Sequence, residues 1–160
     1  MGLSYEDFEV GKTYEIGEHT FTRDEIIAFA TQFDPQPFHI DDAAAAGSPF
    51  GGLIASGWHT CSVMMGLLVR NTFAGSTAMG SPGIDDIRWL KPVRVGDTIR
   101  MATTVLDKRV SASKPDRGIV STQWDGINQH GETVITVRSK GIFGLRHSET
   151  TPGTARGASA

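Results

Sequence analysis

The stretch from Ser56 to Val69 limits the fold more than any other, because Val63, Met64, Met65, Leu67, Leu68 and Val69 face all round a helical axis. A helix that is apolar on every side is expected to be buried on most of them. It is too short and too polar to cross a membrane, since His59, Ser62 and Arg70 interrupt a run that would need about 20 apolar residues. The cover must come from elsewhere in the chain. Ile99, Met101, Thr103 and Val105 alternate with polar neighbours, as do Val120, Thr122 and Trp124, and then Ile135, Val137, Ser139, Gly141, Phe143 and Leu145. Lys114 to Gly118 and Asn128 to Gly131 read as the hairpin turns between these strands. Strands gathered after one buried helix predict an α+β domain with an antiparallel sheet laid on that helix.

The first half announces a strand near Thr13 to Phe21 and then a helix, for which Thr22 and Glu25 have the separation of a capping box. Ile26, Ile27, Ala30 and Phe33 fall on one face of it, and Asp34-Pro35 ends it. Pro35 and Pro37 then favour an extended, repeatable path to His39. A rigid loop that sets an acid and an imidazole five residues apart is a candidate acid/base site. An alanine-rich turn from Asp41 to Ala46 stops at Gly47, and Ser56 is a good N-cap for the apolar helix. Gly57 then stands where the first N–H groups of a helix lack partners and can hold an anion.

Asp34-Pro-Gln-Pro-Phe-His39 followed by PFGGLIASGWHTCS resembles the motif of MaoC-like dehydratases and (R)-specific enoyl-CoA hydratases. GIDDIRWLKPVRVGDTI, Gly83 to Ile99, resembles the sheet portion of the same proteins. The resemblance implies the hot-dog fold, a sheet wrapped round a central helix, over residues 1–146. It implies that Asp34 and His39 activate the water added to or removed from an acyl thioester, that Gly57 N–H binds the thioester carbonyl, and that Ser62 supports the pair. The chain departs from the motif at Gln36, where asparagine is usual, and at Trp58-His59, where Met-Leu is usual; Trp58 is therefore a candidate for lining the acyl pocket. The resemblance also implies a homodimer or a multiple of dimers, with CoA or an acyl carrier protein as the thioester carrier. A hot-dog thioesterase and a non-catalytic acyl-binding subunit are the alternatives.

The remaining readings are exclusions. His39, Asp41, Asp42 and His59 match no common zinc spacing, so no metal is expected, and the chemistry requires no cofactor beyond the thioester substrate. A net charge of −3 without a basic run disfavours nucleic acid and anionic membranes as partners. One cysteine, Cys61, excludes an intrachain disulfide framework and reads as a small core residue rather than a nucleophile. A reducing, cytoplasmic location is the expectation. His147 to Ala160, rich in Ser, Thr, Gly and Ala, reads as a frayed tail. Which of Asp34 and His39 is the base is left open by the sequence.

Overall fold

The computed structural model describes residues 2–146, and the expected tail from His147 lies outside the described residues. Strand β1 (Thr13–Thr20) leads into helix α1 (Arg23–Phe33), two short helices α2 (Pro37–Ile40) and α3 (Asp42–Ala46), and helix α4 (Gly57–Leu68). Strands β2 (Gly83–Trp89), β3 (Thr98–Val110), β4 (Arg117–Ile127) and β5 (Thr133–Gly144) follow. They form one sheet in the order β1-β3-β4-β5-β2, with every neighbouring pair antiparallel. The expected α+β class and the hot-dog arrangement are both present.

The alternation read in the second half places one face of each strand on α4. Ile99, Met101, Trp124, Ile135 and Val137 join Met64, Leu67 and Leu68 in a single buried cluster. Met64 sits near its centre, 1 % exposed, and burying a side chain of that size is worth about 1.5–3 kcal/mol. Helix and sheet approach closely at Gly126, where an added Cβ would lie 2.5 Å from Ile135 Cγ2 and 3.4 Å from Met64 Sδ. The Asn128 turn closes as read, with Asn128 N–H donating to Glu132 O at 2.9 Å and Gly131 at φ +75°.

Helix α4 is buried on most sides as expected, and one side is left open: Trp58, Ser62, Met65 and Val69, spaced at helical intervals, form an exposed stripe. Phe33 is not in the core, being 64 % exposed at the last turn of α1, while Ile26 and Ala30 are fully buried. The sheet covers one side of α4 and α1 part of another, which leaves the stripe beside β2. Among the described residues that strand pairs with β5 alone, which leaves its other edge open.

Candidate active site

Thr22 caps α1 by accepting the Glu25 N–H at 3.3 Å. At the other end of the helix Asp34 N–H still donates to Ala30 O at 2.8 Å, and Pro35 bars the next turn. Asp34 therefore occupies the C-cap with its carboxylate free to turn inward. The chain then departs from the expected extended path. Gln36 N–H bonds Asp34 O, Pro37 takes the first position of α2, and His39 N–H bonds Gln36 O at 2.9 Å. A proline's φ suits a first helical turn as well as an extended segment, which is why its presence alone misleads. This turn folds the imidazole back until His39 Nε2 lies 3.4 Å from Asp34 Oδ2.

The environment of the pair orients the imidazole and holds the carboxylate ionised. His39 Nδ1 is 2.8 Å from the Ile54 carbonyl, which can only accept, so a hydrogen is committed to Nδ1 and Nε2 is the ring atom turned to Asp34. Burial opposes the Asp34 charge, but donors outweigh it. Ser56 Oγ–H reaches Oδ2 at 2.7 Å, Gln36 Nε2–H reaches Oδ1 at 2.8 Å, and His39 adds a favourable field, so the carboxyl is held below its ordinary range. Carboxylate and Nε2 thus face one another at 3.4 Å, close enough for both to reach a single proton or a water lying beside them.

Ser56 is the functional residue that sequence reading passed over. It was legible as an N-cap and does accept Trp58 N–H at 3.2 Å, but the same hydroxyl holds Asp34 across 22 positions, a contact no local pattern announces. Ser62 requires the opposite correction. Its hydroxyl donates to Trp58 O at 2.8 Å, one turn back on its own helix, while the hydrogen bonds of the pair go to Ser56, Gln36 and Ile54. Gly57 opens α4 beside Asp34 and His39, and all three line a cavity of 480 Å³ together with Trp58, Trp89 and Lys91. Trp58 meets Trp89 edge to face at 5.4 Å. Burial pushes the Cys61 thiol up, which removes it further from nucleophilic duty. Among the described residues no three His, Cys, Asp or Glu side chains converge on one point.

Ser56→Ala separates the cap from the ion. A carboxyl held below its unfolded value of 3.8 contributes stability above that pH and loses it as pH falls through the folded value. The variant is expected to be less stable at neutral pH by about 1 kcal/mol and to lose less on acidification than the parent. Acid titration of both proteins, followed by circular dichroism, measures the difference. Equal acid-dependent losses would mean that Ser56 does not stabilise the Asp34 charge.

The family described as "MaoC like domain" matches residues 7–125. The chain belongs to the MaoC-like domain family. A MaoC-like dehydratase from Rhodospirillum rubrum shares 43 % identity and superposes with a TM-score of 0.84 over 91 % of this chain and 99 % of its own. The 3-hydroxybutyryl-CoA dehydratase of Methylorubrum extorquens is 27 % identical over 143 residues, 86 % of each protein. A Mycobacterium tuberculosis protein with a double hotdog fold is 19 % identical and superposes at a TM-score of 0.78 on 48 % of its own chain, a likeness of fold alone. This MaoC-like chain has one such unit among its described residues. None of its helices there is long and apolar enough to cross a membrane.

Proposed function

We propose that the protein adds water to a 2-enoyl thioester, or removes it from a 3-hydroxyacyl thioester, using Asp34 and His39 as a joint acid/base and Gly57 N–H as the oxyanion donor. The observation that carries this reading is the orientation of His39, whose Nδ1 hydrogen is committed to Ile54 O and whose Nε2 faces an ionised carboxylate 3.4 Å away. In the reacting state Nε2 is unprotonated, and a single water lying beside the pair can hydrogen-bond both Nε2 and Oδ2. Its oxygen attacks C3, its proton passes to the pair, and the thioester oxygen takes the charge of the enolate. The pair then returns a proton to C2, so that one water is added and the enzyme regains its starting state. Gly57 suits the oxyanion because the N–H groups of a first helical turn are unpaired within the helix and the dipole favours an anion there. Such a donor is worth about 10²–10³ in rate.

CoA is the carrier named for the Methylorubrum relative, and it is the carrier proposed here. A panel of enoyl-, 3-hydroxyacyl- and saturated acyl-CoAs tests the reading, with double-bond absorbance and free thiol followed separately. Change in absorbance without thiol release is expected. Thiol release from saturated acyl-CoA would make the protein a thioesterase instead.

The acyl chain of the proposed substrate is assigned to a second cavity. This cavity of 630 Å³ lies toward the other end of α4, lined by Met65, Leu68 and Val69 and by the inner face of the sheet. It shares no lining residue with the first. Its charged lining groups Asp7, Glu15 and Lys140 are paired with Arg146, Arg100 and Asp85, which leaves an apolar interior suited to alkyl groups. The exposed α4 stripe links the two, since Trp58 lines one and Met65, seven residues on, lines the other. A second copy of the chain laid along the open edge of β2 would roof that stripe and bury Ile84 and Trp89, now 46 % and 47 % exposed. Sedimentation at micromolar concentration is expected to give a dimer or a multiple of it; a fully active monomer would refute this arrangement.

Trp58→Met is expected to change chain-length preference without abolishing turnover. One methylene in an apolar pocket already shifts discrimination by about 1–3 kcal/mol, and the change from indole to thioether is larger. The ratio of kcat/KM for short and long 2-enoyl-CoAs in the two proteins reports it. An unchanged ratio would assign Trp58 to the subunit contact alone.

A further inference from the structure

His59 is buried and titratable, and it takes no part in the chemistry proposed above. It lies two residues after Gly57 in the first turn of α4 and is 6 % exposed. Its ring stacks flat on Phe29 of α1, with centroids 4.7 Å apart and planes inclined by 10°, and it meets Phe21 edge-on at 5.1 Å. Among the described residues Nδ1 has no hydrogen-bond partner, and Nε2 faces Glu25 Oε1 at 3.8 Å, beyond hydrogen-bond reach. The same carboxylate oxygen already receives His19 Nε2 at 2.5 Å. One oxygen of α1 thus stands between an imidazole of β1 and an imidazole of α4. A leucine would fill the space between Phe29 and Phe21 without burying an unpaired nitrogen, so packing does not account for a histidine here.

Helix α1 carries Glu25 in its first turn and Asp34 at its C-cap, while α4 carries His59 in the turn that Gly57 opens. His59 therefore bears on the distance between the two halves of the site. We propose that His59 is a positioning residue, whose protonation draws the first turn of α4 toward Glu25 and so makes the placement of the Gly57 amide against Asp34 and His39 depend on pH. This inference rests on the oxyanion role proposed for Gly57.

The physical basis is a competition. Burial lowers the affinity of His59 for a proton, Glu25 of α1 opposes that, and His19 of β1 reinforces it. These are the charged and titratable groups that face it, and Phe21 and Phe29 present only aromatic surface. Glu25 itself resists burial and stays ionised through bonds from His19 and Thr22. While His59 is neutral it leaves Oε1 to His19. Once protonated it competes for that oxygen, with its new charge at the positive end of the α4 dipole, where a cation is unfavourable. The first turn must then move or the histidine must remain neutral. Because the folded protein holds this imidazole below its unfolded value of 6.5, the associated stability is complete above that pH and is lost as pH falls below it.

Nuclear magnetic resonance gives the test, with the His59 ring and the Gly57 amide followed in the same pH titration and kcat and KM measured on 2-enoyl-CoA over the same range. In the parent protein the Gly57 amide shift and an acid limb in kcat should share the His59 midpoint, with KM little changed. His19→Gln removes the competitor for Glu25 Oε1 and should move all three midpoints upward together, by about half a pH unit or more. Glu25→Gln should move them downward by a similar amount, and His59→Leu should abolish the limb. A kcat limb that stays in place while the His59 midpoint moves, or a Gly57 amide that ignores it, overturns the proposal. The amide reading needs no turnover: a protein inactive as a hydratase whose Gly57 shift tracks His59 would lose the proposed function and keep the pH-dependent movement.

Discussion

Asp34→Asn and His39→Gln are each expected to lower the hydration rate at least about a hundredfold while leaving the fold intact, because each keeps shape and removes proton transfer. The structure adds a distinction between them. In Asp34→Asn the amide can still accept Ser56 Oγ–H and occupy the place of the carboxylate, so the cap of α4 survives and only the charge is lost. In His39→Gln the side chain can still donate to Ile54 O but presents no basic lone pair beside Oδ2. In the proposed mechanism the two side chains act on one water and one proton, so the double variant should be little slower than the poorer single one. Single-turnover rates on one 2-enoyl-CoA, with melting curves as a control on folding, decide it. Full activity in both single variants would end the joint acid/base mechanism.

The parts of this arrangement that were readable in the sequence are those encoded by neighbours. The cap at Thr22, the stop at Asp34-Pro35, the cap at Ser56 and the alternation along β3 to β5 depend on residues a few positions apart, and the structure has each of them. Helix α2 escaped because Pro35 and Pro37 suit two backbone paths, and the choice between them rests on contacts to Ile54 and Ser56 far along the chain. Ser62 was placed at the site by resemblance, whereas its geometry is a back-bond to Trp58 that a serine within a helix commonly makes. Glu25 shows the same limit. It was legible as half of a capping box, yet its carboxylate turns to the Thr22 hydroxyl at 3.0 Å and to His19, six positions back on β1. Local pattern named the residue, and packing assigned its partners.

Gly57→Ala is expected to reduce kcat about a hundredfold, the effect of removing one oxyanion donor, for a reason visible in the packing. A Cβ built on Gly57 would lie 2.5 Å from Cε2 and 2.9 Å from Cδ1 of Trp89, closer than side-chain atoms approach. Either the indole or the first turn of α4 must yield. The ring is half exposed on the edge strand β2, while the turn is tied to Asp34 through Ser56 and is buried behind Gly57 at His59 and Thr60. If the turn yields, the amide is displaced by a few tenths of an ångström or more and donates past the enolate oxygen. Trp89→Ala tests this directly by removing the obstacle: Gly57→Ala combined with Trp89→Ala should recover a large part of the lost rate relative to Trp89→Ala alone. Substrate affinity should change less than kcat, since the oxygen carries its full charge only after water has attacked. Loss that persists undiminished in the double variant would show that the methyl group harms catalysis by blocking the thioester itself, and the amide would then need no displacement to explain the effect.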